Sequence, residues 1–221
     1  QGIAPNTNAS RTSLSFGGNS KLANGLIVSG NVTYVNTTQA NPPSAGAIYG
    51  GNFGEFVPSI FTRLFYLPRN FDLTGSNPEG IPYPFENPVD GSNVFYRSLD
   101  NPLWLAKYSR YESDVNRVYG NIALSYDVLP WLNMTARGGL NTYTDSRKSI
   151  LRPGGTNDAN GYVWTDDVTN REVDLNYLGT VSTNITPDLD FRLSGGLNLN
   201  QPEFKNRYVE GDNVNSPGLY N

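Results

Sequence analysis

The stretch that decides the fold runs Arg117-Val118-Tyr119-Gly120-Asn121-Ile122-Ala123-Leu124-Ser125-Tyr126-Asp127, then Val128-Leu129-Pro130-Trp131, then Leu132-Asn133-Met134-Thr135-Ala136-Arg137-Gly138-Gly139-Leu140-Asn141-Thr142. In the first arm Val118, Gly120, Ile122, Leu124 and Tyr126 share one face, with Arg117, Tyr119, Asn121, Ser125 and Asp127 opposite. In the second, Leu132, Met134, Ala136, Gly138 and Leu140 face away from Asn133, Thr135, Arg137 and Asn141. A period of two held this long is a strand pattern, because successive strand side chains point to opposite faces. Pro130 lacks an amide donor and belongs in the turn. The stretch predicts a long β-hairpin with one apolar and one polar face.

Working outward, the same design occurs twice more. Thr12, Leu14, Phe16 and Gly18 alternate with Ser13, Ser15, Gly17 and Asn19. Asn24-Gly25 follows as a turn signal, since both residues tolerate positive φ. The return arm sets Leu26, Val28, Gly30, Val32 and Tyr34 against Ser29, Asn31 and Thr33. A third hairpin carries Val173, Leu175, Tyr177, Gly179, Val181 and Ile185 up to a Thr186-Pro187-Asp188 turn, then returns through Leu189, Phe191, Leu193, Gly195, Leu197 and Leu199. The expected strands lie near residues 11–22, 26–36, 117–127, 132–143, 173–185 and 189–200. Leu14, Val28, Ile122, Met134, Val181 and Leu193 are expected to face lipid.

Composition limits what such hairpins belong to. The chain has 221 residues, 37% of them hydrophobic, with 23 Gly, 15 Pro and a formal charge of -4. It contains no stretch of about eighteen apolar residues of the kind that spans a bilayer as a helix, but transmembrane barrels show only short alternating segments. No basic block points to nucleic acid. The charged residues of the six arms are Arg11, Lys21, Arg117, Asp127, Arg137, Asp174, Asp190 and Arg192, and all take the polar face. A cation on the lipid side near the midplane costs about 2–4 kcal/mol. The inner face of a soluble β-sandwich excludes charge as well, so both architectures stay open on this ground.

Connection lengths separate them. The hairpins at about 11–36, 117–143 and 173–200 close through short turns, while about 37–114, 144–172 and 201–221 read as long loops. Loops beyond about 15 residues are uncommon in compact domains, whereas alternating short turns and long loops are the habit of outer-membrane barrels. Six strands with two free edges cannot close a barrel alone, so they read as part of something longer.

Several blocks carry a resemblance: Leu67-Pro68-Arg69-Asn70-Phe71-Asp72-Leu73, Asn101-Pro102-Leu103-Trp104, Asn116 to Ile122, Leu124 to Asp127, Pro130-Trp131-Leu132 and Arg137-Gly138-Gly139. In order and spacing they resemble the middle of the barrel of SusC/RagA-type TonB-dependent outer-membrane transporters of Bacteroidetes, over most of the chain. The resemblance implies an all-β fold: about six strands of a large antiparallel transmembrane barrel of roughly 22 strands with long extracellular loops and a plugged lumen. It implies a multi-pass outer-membrane protein of a Gram-negative bacterium, energised by the TonB–ExbB–ExbD complex and capped by a SusD-like surface lipoprotein. The plug domain and TonB box of such a transporter have no counterpart in these residues.

The segment from Asn36 to Asp114 is where ligand chemistry is expected. It is crowded with aromatics, and after Pro58 a short helix is expected with Ile60, Phe61, Leu64 and Phe65 on one side. Most of these rings are expected to pack a small core of the loop itself. Trp104, Tyr108 and Arg110 are the candidate substrate contacts, because exposed rings stack on ligand and guanidinium groups fix its polar atoms. Tyr83, Phe85, Phe95 and Tyr96 are the candidate partner-facing residues.

Catalytic signatures are missing. Without His or Cys the chain cannot build a Ser-His-Asp or Cys-His arrangement or a usual zinc site. Asp158-Ala159-Asn160-Gly161 shares part of a calcium-loop pattern but reads as an Asn/Gly turn. No cofactor or metal is expected. The reading is an importer of oligosaccharide or peptide; a passive porin and a surface glycan-binding β-module are the alternatives.

Overall fold

The structure is a computed structural model that describes residues 6–42, 60–65, 67, 68, 73, 85–94, 99–156, 158–215 and 218. Six strands form one antiparallel sheet in chain order: β1 (Asn8–Lys21), β2 (Ile27–Ala40), β3 (Ser109–Leu129), β4 (Leu132–Leu151), β5 (Tyr162–Thr186) and β6 (Leu189–Asp212). Two short helices, α1 (Ile60–Phe65) and α2 (Pro102–Tyr108), lie between β2 and β3. The sheet is an open meander whose outer edges are β1 and β6.

Register joins the sequence pattern of each hairpin into one surface. Leu14 pairs with Tyr34, Tyr34 with Val118 and Val118 with Thr142. Lower down, Ile122 pairs with Gly138, Gly138 with Leu175 and Leu175 with Leu199. Since paired residues share a face, the six apolar stripes fuse into one band across the sheet. Its side chains are open: Ile122 is 53% and Leu193 61% exposed, with no second sheet among the described residues to cover them. The opposite face carries all eight charged residues of the expected arms, from Arg11 to Arg192.

The band is slanted. On β1 its upper edge is Leu14, level with Val118; on β6 it is Leu199, level with Ile122, four residues nearer the short turns. That is about 13 Å of slip across about 24 Å of sheet, a tilt of about 30°. Along β3 the band runs from Val118 to Val128, ten residue steps, or about 33 Å.

Turn chemistry sets one end of the sheet. Leu129 and Leu132 pair around Pro130-Trp131, and Thr186 and Leu189 pair around Pro187-Asp188. The first turn differs from the tight two-residue form that Asn24-Gly25 suggests. Leu22 N–H donates to Leu26 O at 2.8 Å, and only Gly25 of the pair takes positive φ, at 86°. The result is a three-residue loop closed by a left-handed glycine. Gly120 is fixed by a different constraint: a Cβ there would fall far inside contact distance of Asn31 O, so β2 and β3 approach as only a glycine allows.

The strands outrun the expected boundaries at the other end. β3 begins at Ser109, β4 ends at Leu151, β5 begins at Tyr162 and β6 continues to Asp212. The expected loop at 144–172 is therefore mostly ladder, with a connection of only residues 152–161, and most of 201–221 is strand. Here polar and apolar residues are mixed on both faces of the sheet, so the alternation that marks the lower strands fades while backbone pairing goes on. Asp158 Oδ1 accepts from the amides of Asn160 and Gly161 at 3.0 and 2.8 Å, which makes this connection an Asx turn.

The small core sits at the long-loop end. Trp104, Leu105, Leu151, Tyr162 and Trp164 cluster, with Phe85, Tyr108, Tyr111 and Ile60 packed against them. Leu151, Tyr162, Trp164 and Tyr111 share the polar face of the sheet. Ile60, Phe85 and α2, from the described part of the connection between β2 and β3, thus pack onto the face opposite the apolar band.

Candidate functional site

Helix α2 exists because of its first two residues. Asn101 Oδ1 accepts from Leu103 N–H at 2.8 Å as the N-cap, and Pro102 follows at the first helical position, where its missing amide leaves no hydrogen bond unmade. The cap is itself held, since Asn101 N–H donates to Asn93 Oδ1 at 2.7 Å. Asn93 also donates to Leu99 O and Thr156 Oγ1, while Asp100 Oδ1 accepts from Thr156 N–H at 2.6 Å. These bonds tie the start of α2 to the β4–β5 connection.

The segment 85–94 closes the arrangement. Asn87 N–H donates to Ser92 O, and Glu86 bridges Asn93 across the turn. Its backbone supplies Gly91 O, which accepts from Trp104 Nε1 at 3.0 Å. Glu86 accepts from Lys107 Nζ at 2.8 Å and from Tyr108 Oη at 2.6 Å. Lys107 and Tyr108 hold the Glu86 carboxyl below its usual range, and Glu86 in turn raises the Lys107 ammonium. The Ser92 amide lowers Asp90 in the same way. Arg152 lies over the Tyr108 ring, 4.5 Å from its centroid, and donates to Asp90 O at 3.1 Å. Three pieces of chain distant in sequence become one block.

That block rests on the inward wall, meaning the polar face of the sheet. Small Ser149 stands between Tyr111 on β3 and Trp164 on β5. The two rings therefore meet edge-on across it, with centroids 6.0 Å apart. Trp164 then meets Tyr208 of β6, also at 6.0 Å. Beside this aromatic row Arg147 Nε donates to Asp145 Oδ2 at 2.7 Å, with Asp166 Oδ2 at 3.6 Å from Nη1. Ser113 Oγ donates to the other Asp145 oxygen at 2.8 Å. The pairs are half-buried or deeper, so the guanidinium and its carboxylates offset each other's desolvation. Next to them lies a recess of about 240 Å³ lined by Thr37, Gln39, Tyr111, Ser113, Asp145 and Arg147, all inward-facing. It offers a ring, an amide, hydroxyls and a neutralised ion pair, which is binding chemistry.

The expected contacts do not converge. Trp104 is 0% exposed, so no ring face is left for a ligand; it anchors the loop core. Tyr108 is half-buried beside it. Arg110 lies on the outward face and pairs with Glu112, 2.6 Å away. Phe85 packs on the core, while Tyr83, Phe95 and Tyr96 lie outside the described residues. In α1 the apolar side is not covered as expected: Phe65 is exposed and Arg63 is buried. The inward cluster of Asp145, Arg147 and Asp166 went unread because its residues fall where a loop was expected. Asn101-Pro102 was the legible signal for α2.

No protein-family model matches the chain, and no curated protein matches it. Solved structures do. The chain superposes on a structure of the RagAB peptide transporter with a TM-score of 0.70 at 14% identity, over 96% of this chain. It matches the RagAB peptide importer in the "closed-closed" state at 0.67 and 15%, and in the "open-open" state at 0.70 and 14%. The fold is that of a barrel segment. In each case the chain spans 22% of the length of the other. The likeness falls on the same kind of protein as the SusC/RagA-type resemblance of the sequence. Among the described residues no helix is long and apolar enough to cross a membrane, which says nothing of strands.

Proposed function

We propose that the chain is wall of an outer-membrane importer barrel, with the apolar band in lipid and the opposite face lining the lumen. The band carries this reading. Its ten residue steps on β3, inclined by about 30°, give a height of about 29 Å, comparable with the roughly 25 Å apolar belt of an outer-membrane barrel. A slant of the band across the strands is what strand tilt in a barrel produces. β1 and β6 keep unpaired edges that lipid does not tolerate, so both take neighbouring strands.

The substrate is a peptide, and the likeness to the RagAB peptide transporter supports this over an oligosaccharide. The inward recess at Gln39, Tyr111 and Arg147 is the ligand contact. The segment does no catalysis. Energy comes from a TonB–ExbB–ExbD complex, and the loop around Tyr83, Phe85, Phe95 and Tyr96 docks a SusD-like surface lipoprotein. The test is peptide uptake by cells carrying the full protein, with and without TonB, and with residues 77–97 deleted. Uptake lost without TonB, with lipoprotein recovery weakened by the deletion, is expected. Uptake indifferent to TonB replaces this reading with a passive porin.

A further inference from the structure

Charge is sorted between the two faces of β5 and β6. Outward stand Arg171, Lys205 and Arg207, with Asp167 and Glu203. Inward stand Asp166, Glu172, Asp174, Glu210 and Asp212, and above Arg192 no inward position of either strand carries a cation. Among the described residues only Asp166 of these carboxylates has an ion pair, and its partner Arg147 is already bound to Asp145. The amide of Asn200 donates to Glu172 and Asp174, and the Tyr208 hydroxyl donates to Glu210. The inward wall of β5 and β6 therefore holds negative charge that its own side chains satisfy with neutral donors and leave largely uncompensated.

Asp166 adds an observation of a different kind. Its side chain is only 9% exposed, its Oδ2 lies 3.6 Å from Arg147 Nη1, and its Oδ1 has no hydrogen-bond donor. A buried acceptor without a donor is costly, and a donor from outside the protein is its complement. Directly across the ladder stands Tyr208, whose ring is 41% exposed on the same inward face. The face of a ring attracts a cation, and carboxylates beside it add to the pull. Among the described residues no three carboxylates converge closely enough to hold a metal ion. The group that fits is an organic cation carried on a long arm, with N–H donors of its own.

Register connects this place to the recess. Gln39, Ser113, Arg147, Asp166 and Tyr208 form one row across β2 to β6. Four strand spacings make the row about 19 Å long, the reach of about six residues of extended chain. A peptide lying along it meets the recess at one end and the Tyr208 ring at the other. We propose that Tyr208, Glu210, Asp212 and Asp166 form a subsite for a cationic group of the imported peptide, an ammonium or a guanidinium. The cation sits on the Tyr208 ring, gives one N–H to Asp166 Oδ1 and is neutralised by Glu210 and Asp212. The inference rests on the reading of this face as the peptide-binding wall.

The test uses the full protein, purified from outer membranes together with any lipoprotein that accompanies it. The probes are nonapeptides of Gly, Ser and Ala with a central Lys, Arg, norleucine or Glu and both ends blocked, and a norleucine peptide with a free amino terminus. Calorimetric titration at low salt reads each Kd. The Lys and Arg peptides are expected to bind about fivefold more tightly than the blocked norleucine peptide, with the Glu peptide weakest. E210Q/D212N is expected to bring the Lys peptide down to the norleucine affinity and to leave the norleucine affinity unchanged. The control E203Q removes a carboxylate from the outward face of β6 and is expected to keep the preference. Tyr208→Leu is expected to shrink the Lys advantage as well, a second reading if the double variant loses its heat-modifiable gel mobility. A free amino terminus that replaces the Lys advantage assigns the cation to the end of the peptide, and an advantage confined to the side chain assigns it to a residue; both uphold the subsite. Equal binding of Lys and norleucine peptides by the wild type, or a preference unchanged in both variants, overturns the subsite and leaves the peptide importer standing. Failure of every probe to bind sinks the importer reading and the subsite with it.

Discussion

The wall below Asn116 and the wall above it are made of the same strands, yet different surroundings govern their side chains. Below, one face is mostly apolar and open while the other is mostly polar, and every charge is kept off the apolar face from Leu14 on β1 to Leu199 on β6. Above, the outward face carries ion pairs such as Arg207–Asp167, and the inward face carries aromatics and the Arg147 cluster under α2. Tyr34 marks the change, with its ring in the band and its hydroxyl donating to Asn116 at 2.7 Å. Lower strands are held in place by what surrounds the sheet, and upper strands by what is folded against it.

The largest expected effect breaks the upper region alone. Trp104 is fully buried and donates to Gly91 O, so Trp104→Ala removes a ring and orphans a carbonyl. Loss of about 3–5 kcal/mol is expected within the loop block. Limited proteolysis is expected to open residues 85–108 while the heat-modifiable gel shift of the barrel stays as in wild type. If both fail together, the two regions are not separable and the contrast drawn above is wrong.

A paired substitution tests the outward face on both sides of the boundary. Ile122→Arg puts a cation into the band, at an expected cost of about 2–4 kcal/mol for folding into vesicles. Ser146→Arg puts the same group on the same face, higher up and beside Asp167, and is expected to stay within about 0.5 kcal/mol. Denaturant titrations in lipid would measure the difference. Similar costs at the two sites would mean that the band does not meet lipid.

The same contrast explains what the sequence revealed. Alternation identifies a strand when its two faces differ in polarity, and that condition holds from Arg117 to Thr142. It fails from Thr144 to Leu151 and from Tyr162 to Glu172, where Lys148 and Asp167 point outward while Arg147 and Asp166 point inward. There each face mixes charged residues with apolar ones such as Trp164 and Ile150, so a regular ladder reads as loop. The strands of the lower hairpins, their turns and their polar faces were therefore legible. The inward cluster was not, because it depends on the pairing of Arg147 with Asp166 across strands whose existence had no local signal. Trp104 shows the other limit: an aromatic in a long loop carries the same letters whether it stacks on a ligand or fills a core.

The smallest expected effect concerns pH and again singles out the upper region. Glu86 accepts from both Lys107 and Tyr108, and these bonds hold its carboxyl below the ordinary value of 4.5. A carboxyl depressed on folding contributes stability above its unfolded value and loses it as pH falls through the folded one. Lys107, raised above 10.5 by Glu86, works in the opposite sense and weakens only as pH rises through its folded value. Docking of α2 on segment 85–94 is therefore expected to be flat between about pH 5 and 10 and to loosen in acid below that window. The pair is partly exposed, so the change is modest and strong salt shrinks it. Cleavage within 85–108 by an acid-active protease would follow it, with Glu86→Gln as the control in which the acid step disappears. An acid step that survives in Glu86→Gln would assign it to another carboxylate and remove the Glu86–Lys107 clamp from the account of how the loop is held.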